Sequence, residues 1–301
     1  MLYKPRTKPE ELEVLEILHT RMNLSDKDRQ HSSNLKKGFE GEIIFDSLIE
    51  NLKCECLILN DLLLHFNNTT FQLDSLIISS ETIFLYEVKN YEGDYFYESD
   101  RLYKKPKFEI INPLNQLRRS ESQLRQLLHH LGFQVPIDAS VVFINSEFTL
   151  YQAPLNIPFI FHSQLNQHLR KLNNITSKLN NKHKILADKL VSLHNENFPY
   201  RQLPPYDYEQ LHKGITCVNC NSFSLIIKGK KVFCTECGHV EMVATAVIRS
   251  VKEFKYLFSD RKINTNEIHE WCKIVNSKKR IKRILDKEFK MSGVNRWAFY
   301  Q

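Results

Sequence analysis

The sequence predicts an α/β core of about 130 residues, in which a helix, three strands, a second helix and a fourth strand follow one another. Three observations predict it. Apolar residues recur at helical spacing in two segments, from 36 to 52 and from 112 to 131. Short apolar segments lie between these helices, from 56 to 89. A continuous apolar segment follows at 139–145, as expected for a buried central strand.

The first helix of the core extends from about Lys36 to Leu52, since Phe45 and Ile49 lie four residues apart on one face. An amphipathic pattern at 9–24 predicts a lead helix before it. The polar residues Ser25–Asn34 predict a linker between the two helices. The core therefore follows a separate N-terminal segment.

Three strands are predicted after this helix, at Cys56–Asn60, Phe71–Ile78 and Thr82–Lys89. The polar residues Ser79–Glu81 make a tight link between the last two strands. The pair Asn112-Pro113 then opens the second helix, as N-cap and first-turn proline. The order of helix, three strands, helix and strand is that of an α/β core.

The overall composition bounds the function. The chain has 301 residues, enough for two or three small domains, and 42 basic residues against 35 acidic ones give a net charge of +7. This excess suits a nucleic-acid partner without requiring one. No apolar run approaches the ~20 residues that span a bilayer, and Met1–Arg6 lacks the apolar core of a signal peptide. The sequence therefore predicts a cytoplasmic protein with no membrane partner.

Three charged residues in two successive predicted strands carry the most chemistry. Asp74 lies in one strand, and Glu87 and Lys89 lie in the next, on either side of Val88. Because side chains alternate along a strand, Glu87 and Lys89 share a face. Two carboxylates can hold a hard divalent cation, and an ammonium group can orient water or stabilise charge on a phosphate. The alternative is a structural salt bridge of Lys89 with one of the acids at a sheet edge.

The first helix contributes a further acid. Glu42 lies three residues before Phe45 and so shares the buried face of the helix, whereas Glu40 is rotated toward solvent. Gly38 and Gly41 lower the helix propensity by about 1 kcal/mol each relative to alanine. They either mark a frayed helix start or let the helix approach the strands closely.

The second helix presents polar side chains near the predicted site. Gln116 is either a surface amide or, if Asp74, Glu87 and Lys89 form a site that cleaves phosphodiester bonds, a group that contacts the DNA backbone or the attacking water. The three arginines of this helix either contact phosphate or are solvated; they are Arg118, Arg119 and Arg125.

Four of the seven cysteines form two Cys-x-x-Cys pairs separated by thirteen residues, namely Cys217, Cys220, Cys234 and Cys237. Two such pairs joined by a hairpin supply the four thiolates of a structural zinc ion. A thiol redox pair and ligation by His239 are the alternatives. The remaining cysteines, Cys54, Cys56 and Cys272, are predicted to be plain thiols in half-buried positions.

The C-terminal segment is basic and helical. One helix is predicted at Glu267–Val275, a turn at Asn276-Ser277, and a second helix from Lys278 with Ser277 as its N-cap. This pattern is typical of a helix-turn-helix, with a wing strand at Trp297–Tyr300. The alternative is a solvated basic helix that packs on the rest of the protein.

Four motifs together resemble the nuclease-related domain (NERD) family. They are Gly38-x-x-Gly41-Glu42, Phe71-Gln72-Leu73-Asp74, Glu87-Val88-Lys89-Asn90 and Asn112-Pro113-x-x-Gln116. The similarity covers about residues 35 to 160, and Lys4-Pro5-Arg6-Thr7 and the cysteine pairs are similar to a subgroup of the same family. One departure is Leu73, where isoleucine is more frequent in the family.

The resemblance implies a fold and a set of roles. The family is placed in the PD-(D/E)xK superfamily, which implies a restriction-endonuclease-like αβββαβ core with a mixed sheet and a nuclease dependent on Mg²⁺ or Mn²⁺. Asp74, Glu87 and the backbone carbonyl of Val88 would bind the metal, and Lys89 would be the catalytic lysine. Glu42 matches the helical acid of the family, and Gln116 matches its later glutamine.

The sequence therefore predicts a Mg²⁺-dependent DNA nuclease with two DNA-binding modules. The predicted parts are an N-terminal helix and linker (1–34), a nuclease-like domain (35–162), a helical connector (163–206), a four-cysteine zinc ribbon (207–245) and a helical, winged-helix-like domain (246–301). The alternatives are a non-catalytic DNA-binding or regulatory protein with a nuclease-like fold, and a nuclease that acts on RNA. A homodimer is an open alternative, because many nucleases of the superfamily dimerise.

Overall fold

The structure is a computed structural model that describes residues 1–195, 201–293 and 299–300. The chain divides into two compact units that are described separately. Unit 1 consists of Met1–Lys8 and Ser33–Arg201, and unit 2 consists of Pro9–Ser32 and Gln202–Gln301.

The described residues contain eight helices and several sheets, so the predicted mixed α/β class is confirmed. The helices are α1 (Glu10–Arg21), α2 (Asp26–Ile49), α3 (Pro113–His130), α4 (His162–Asn173), α5 (Asn181–Ser192), α6 (Val243–Leu257), α7 (Thr265–Cys272) and α8 (Lys278–Glu288). The strands of unit 1 are β1 (Leu2–Lys4), β2 (Leu57–Phe66), β3 (Thr69–Ile78), β4 (Ile83–Lys89), β5 (Gly93–Glu98), β6 (Arg101–Lys104), β7 (Phe108–Ile110), β8 (Ile137–Phe143), β9 (Phe148–Tyr151) and β10 (Phe159–Phe161). Those of unit 2 are β11 (Leu225–Lys228), β12 (Lys231–Cys234), β13 (Val240–Met242), β14 (Met291–Ser292) and β15 (Phe299–Tyr300).

Unit 1 is built on a six-stranded mixed sheet in the order β1-β2-β3-β4-β8-β10. Strands β2, β3 and β4 are antiparallel, whereas β8 runs parallel to β4. Apolar side chains of α3 and α5 pack on one face of the sheet, and those of α2 and α4 pack on the other. The sheet is therefore buried between two helical layers, which explains its nearly continuous apolar strands.

A second sheet, in the order β7-β6-β5-β9, was not predicted. Strands β5, β6 and β7 lie in the chain between β4 and α3. They are three to six residues long and rich in charged residues, so their alternation is too short to stand out. Tyr95 and Tyr97 are buried, while Phe96 between them stacks on Tyr103 at the outer face.

Helix α2 begins at Asp26, so the predicted linker at Ser25–Asn34 is wrong. The hydroxyl of Ser25 accepts a hydrogen bond from the amide of Asp28, and Asp26 and Asp28 lie where the helix dipole favours negative charge. The residues of this first part are polar because most of them are not buried. A helix without an apolar stripe has no periodic signal, and its polar composition was misinterpreted.

Unit 2 combines a three-stranded antiparallel sheet, β11-β12-β13, with α1 and the C-terminal helices around one apolar core. Trp271 and Phe254 are fully buried in this core. Strand β14 pairs with β15, which forms the end of the predicted wing, whereas Trp297 lies outside the described residues. The same holds for Phe198–Tyr200, the start of a Pro-rich segment that was predicted to separate domains.

No helix within the described ranges has both the length and the hydropathy required to cross a bilayer.

Helix α2 contacts the sheet closely at Gly41. A Cβ atom on Gly41 would lie 2.5 Å from the Cβ of Asn90 and 3.1 Å from Cγ2 of Ile144, whereas one on Gly38 would meet nothing within 4 Å. The close-approach interpretation is therefore confirmed for Gly41 and wrong for Gly38.

This difference predicts opposite effects of two similar substitutions. Gly41→Ala should destabilise the fold by about 1–3 kcal/mol, because Asn90 meets the new methyl group through its Cβ and cannot simply rotate away. Gly38→Ala should stabilise it by up to about 1 kcal/mol through helix propensity alone. Urea unfolding of both variants measures the difference, and equal midpoints would contradict the close packing.

Candidate active site

Asp74 and Glu87 lie side by side at the point where β3 and β4 stop pairing. The last pair of this ladder is Ser75 with Tyr86, and Asp74 and Glu87 follow directly. Both side chains are buried, with 6% and 2% of their surface exposed. Oδ2 of Asp74 accepts a hydrogen bond of 2.8 Å from the amide of Val88. A side chain thus replaces the backbone partner at the end of the ladder.

Lys89 connects Glu87 on β4 with Gln116 on α3 in a small polar cluster. Its Nζ donates to Oε1 of Glu87 at 2.6 Å and to Oε1 of Gln116 at 3.1 Å. Glu87 and Lys89 therefore do share a face, and Gln116 reaches them from the first turns of α3. The alternative salt bridge of Lys89 is present with Glu87, whereas the carboxylate of Asp74 accepts a hydrogen bond from a main-chain amide.

Glu42 approaches Asp74 from helix α2 through an arginine. Nη1 of Arg6 donates to Oε2 of Glu42 at 2.7 Å, and Nη2 donates to the carbonyl oxygen of Asp74 at 2.7 Å. Nε of Arg6 donates to Oδ2 of Asp46 at 2.8 Å. The structure therefore brings Glu42, Asp74, Glu87, Lys89 and Gln116 into one connected region.

Sequence reasoning did not place three further charged residues, Asp46, Arg6 and Asp61, near the site. Asp46 follows Glu42 by four residues, so the helical spacing could have revealed it. Arg6 lies in the motif Lys4-Pro5-Arg6-Thr7, but nothing in that motif indicated contact with the site, because Arg6 reaches it only after β1 pairs with β2. Asp61 lies beside Asp74 in the register of β2 and β3 and has a φ of +54°, a conformation that aspartate tolerates better than most residues.

Strands β2 and β3 change phase around Asp74, which means that the faces to which successive side chains point are exchanged there. Leu73 and Leu76 both belong to the core packed by α3, although they are three residues apart. Leu59 and Leu62 on β2 show the same shift. Strict alternation of side chains therefore fails around Asp74, although the pairing of β2 with β3 keeps one register on both sides.

Burial and mutual repulsion raise the pKa values of the acids. Burial, and then the charge of Asp74, raise the pKa of Glu42 and of Glu87 to about 8. Burial also raises the pKa of Asp74, against the opposing charge of Lys89. Burial alone would lower the pKa of Lys89, but the charges of Glu87 and Asp74 raise it above its ordinary value. The lysine is therefore an ammonium ion at neutral pH.

The fully ionised region carries two negative charges in excess. Five acids, Glu42, Asp46, Asp61, Asp74 and Glu87, face three cations, Lys4, Arg6 and Lys89. Buried charge without a partner costs several kcal/mol. One divalent cation would balance this excess, and its preferred ligands are carboxylate and carbonyl oxygens. The donor set therefore fits a hard divalent metal ion.

The four cysteines of unit 2 form a tighter cluster. In the described ranges they are the one group of three or more Cys, His, Asp or Glu residues whose ligand atoms all lie within 4.8 Å of one another. The Sγ atoms of Cys217 and Cys237 are 3.6 Å apart, as are those of Cys220 and Cys234. Zn–S bonds of about 2.3 Å place tetrahedral sulfurs roughly 3.8 Å apart. The cluster could therefore bind zinc.

The other cysteine predictions have clear outcomes. Cys54, Cys56 and Cys272 are free thiols, as predicted, although Cys56 and Cys272 are more deeply buried than expected. His239 is not a member of the cluster. Its backbone carbonyl instead accepts a hydrogen bond from the amide of Cys234.

The basic C-terminal helix α8 begins after Ser277, whose hydroxyl accepts from the amide of Arg280. Ile281 and Leu285 are buried in the core of unit 2. The exposed side of the helix carries the cations Lys278, Lys279, Lys282 and Arg283. This helix and the preceding α7 occupy nearly the predicted positions.

Comparison with known proteins identifies a nuclease-related domain at residues 37–144. This span contains Glu42, Asp74, Glu87, Lys89 and Gln116, but neither Arg6 nor the cysteine cluster. No curated protein and no solved structure matches the chain. The domain points to a nuclease-related function, and with it to interaction with nucleic acid and use of a divalent metal.

Proposed function

We propose that the protein is a DNA nuclease that hydrolyses phosphodiester bonds with the help of Mg²⁺ or Mn²⁺. One observation carries the proposal: within the nuclease-related span, Asp74, Glu87 and Lys89 meet in a buried region whose acids, when all are ionised, outnumber the neighbouring cations by two. A divalent cation removes that surplus, and phosphodiester hydrolysis uses such a cation.

The order of elements supports a restriction-endonuclease-like core. Helix α2, strands β2 to β4, helix α3 and strand β8 give the αβββαβ order that the resemblance implies. Strands β2, β3, β4 and β8 are neighbours in one mixed sheet. The core thereby holds Glu42 on α2, Asp74 on β3, Glu87 on β4 and Gln116 on α3.

Each residue has a proposed role. Asp74, Glu87 and the carbonyl of Val88 would hold the cation, which supplies Lewis acidity and lowers the pKa of bound water. Lys89 remains protonated and places its ammonium group beside the attacking water or the phosphate. Gln116 accepts a hydrogen bond from Lys89 and so limits where the ammonium group can lie. Glu42 would add negative charge next to Asp74 once a bound cation favours its ionised form.

Two further parts are proposed to contact DNA. The four cysteines would bind a structural zinc ion, because four thiolates leave no open position for catalysis. Helices α7 and α8 would form a helix-turn-helix, whose exposed lysines and arginines contact phosphate and give salt-dependent, largely sequence-independent affinity. The exposed arginines of α3 are further candidates for phosphate contacts; they are Arg118, Arg119 and Arg125.

The raised pKa values predict how pH changes the effect of a metal. Glu42 and Glu87 keep a proton in the folded, metal-free chain up to about pH 8, but lose it near pH 4.5 when unfolded. These two groups therefore destabilise the metal-free fold as pH rises between these values. Bound cation reverses the penalty, so the increase in melting temperature caused by Mn²⁺ should be larger at about pH 8.5 than at about pH 6.

A thermal unfolding series with and without Mn²⁺ checks this dependence. Glu87→Gln should reduce the increase at the higher pH, because the variant lacks one of the titrating ligands. An increase of the same size at both pH values would contradict the proposed coupling.

The decisive experiment is a cleavage assay. We expect the purified chain to cut DNA with Mg²⁺ or Mn²⁺, to leave 5′-phosphate and 3′-hydroxyl ends, and to lose activity with EDTA. Single-stranded, duplex and branched DNA should be tested beside RNA of matched sequence, because the RNA arm identifies a ribonuclease. Absence of cleavage on all DNA substrates would overturn the proposal.

The second candidate is a DNA-binding or regulatory protein without catalytic activity. The ion pair between Lys89 and Glu87 favours it, because that pair already satisfies one of the acids without a metal. This candidate predicts tight DNA binding that EDTA leaves unchanged, together with no cleavage. The observation against it is the excess of buried acids over cations, because Glu42 and Glu87 keep a proton at neutral pH when no metal is bound.

A further inference from the structure

Arg6 has an unusual position for a residue outside the nuclease-related span. Its side chain is only 1% exposed, and its guanidinium group makes four hydrogen bonds to three residues around the candidate site. Two of these bonds, of 2.8 and 3.1 Å, reach the two carboxylate oxygens of Asp46. The others reach the carboxylate of Glu42 and the main chain of Asp74.

These partners belong to different elements of unit 1. Glu42 and Asp46 are one turn apart on α2, whereas Asp74 lies on β3. The guanidinium group therefore ties the helix directly to the backbone of a proposed metal ligand. Ser75, the next residue of β3, donates from its hydroxyl to Asp46 and completes the connection.

The arginine is itself held in place from its other side. Strand β1 pairs in parallel with β2, and Nζ of Lys4 donates to the carbonyl oxygens of Asn60 and Asp61 at 2.8 and 2.7 Å. Asp61 in turn lies beside Asp74 in the register of the sheet. The segment that carries Arg6 is thus bound to β2 beside Asp61, close to the main chain of Asp74 that Arg6 contacts.

We propose that Arg6 is a positioning residue for the candidate metal site, an inference that rests on the proposed function. It fixes the backbone of Asp74 and the carboxylate of Glu42 relative to one another. It also supplies one positive charge to the α2 acids, Glu42 and Asp46. A guanidinium group has five N–H donors that diverge in one rigid plane, so it can make these four hydrogen bonds to separated acceptors, whereas a lysine ammonium group has only three donors, all on one atom.

The test compares Arg6→Lys with Arg21→Lys. Arg21 is a matched control in unit 2, because its side chain is also 1% exposed and also binds a carboxylate, that of Glu253, together with main-chain carbonyls. Both substitutions should lower the melting temperature of the metal-free chain. Only Arg6→Lys should weaken Mn²⁺ binding in a calorimetric titration, by about 10- to 100-fold.

A second variant covers the case in which Arg6→Lys does not fold. Asp46→Asn keeps the arginine and the shape of its partner but removes the charge that clamps the guanidinium group. We expect this variant to bind Mn²⁺ several-fold more weakly than the wild type, following the same argument. Far-ultraviolet circular dichroism identifies the variants that are folded.

The outcomes separate the two proposals. If the wild-type chain binds no Mn²⁺, the proposed function fails. If the wild type binds Mn²⁺ and the folded Arg6→Lys and Asp46→Asn variants bind it equally well, the positioning role fails while the proposed function stands. Equal weakening by Arg21→Lys would also overturn the role, because it would show a general effect of stability on binding.

Discussion

Replacement of Lys89 by methionine is expected to lower the rate of DNA cleavage by a factor on the order of 100 to 1,000 or more, while DNA binding persists. Methionine keeps most of the length of the side chain but removes the ammonium group beside Glu87 and Gln116. The substitution leaves the exposed cations of α8 unchanged, so affinity for DNA in the absence of cleavage should remain close to that of the wild type.

Lys37→Met is the matched control. Lys37 lies on α2, has a side chain that is 40% exposed, and pairs with the exposed Glu92 rather than with a buried acid. A surface pair of this kind contributes little to stability. Its loss should leave cleavage unchanged, and a comparable loss of activity in both variants would contradict the special role of Lys89.

Asp74→Asn should also abolish cleavage, but it should increase the stability of the metal-free chain. The asparagine oxygen can still accept the hydrogen bond from the amide of Val88, but the buried negative charge is gone. Because burial raises the pKa of Asp74, the metal-free variant should be more stable than the wild type at about pH 8. Thermal unfolding without metal, together with the cleavage assay, measures both effects. A variant that cleaves normally would remove Asp74 from the site.

The second large effect is expected at the cysteine cluster. Cys234 is buried and lies at the end of β12, so Cys234→Ser would remove one of four sulfur ligands from the centre of a small three-stranded sheet. Structural zinc sites of this type contribute apparent binding free energies of about 10 kcal/mol or more. The variant should therefore lose its zinc and the folded structure of residues 217–242.

Metal analysis of the purified proteins checks this prediction. The wild type should carry one zinc ion per chain, and Cys234→Ser should carry none. Cys54→Ser is the control, because Cys54 is a half-buried free thiol outside the cluster. A wild-type protein that refolds fully and binds DNA normally after zinc is removed would contradict the structural role.

The polar residues of the candidate site were predictable where local rules determine their positions. Glu87 and Lys89 share a face because β4 is a regular strand, and Gln116 lies near them because Asn112 and Pro113 fix the start of α3. The N-cap bond from the amide of Leu114 to Asn112 has the predicted geometry. Propensity and periodicity were sufficient for these positions.

Other parts of the site depend on tertiary pairing, which leaves no local pattern. Arg6 reaches Glu42 and Asp74 only because β1 adds to the edge of β2, and three residues of strand are too few to predict. Asp61 lies beside Asp74 because β2 pairs with β3 in a register that joins Asn60 to Ser75 and Leu62 to Leu73, and side-chain alternation fails in both strands at this place. Sequence periodicity assumes regular strands, so it could not find either residue.

The matched phase change of β2 and β3 also has a consequence for folding fidelity. Suppose that β3 were shifted by one residue along β2. The break in side-chain alternation at Asp74 would then no longer lie opposite the matching break in β2, and leucines that face one core would turn toward the other. Charged groups would then enter an apolar layer at a cost of several kcal/mol. The acidic residues therefore help to select the correct alignment of the hairpin, before any substrate is present.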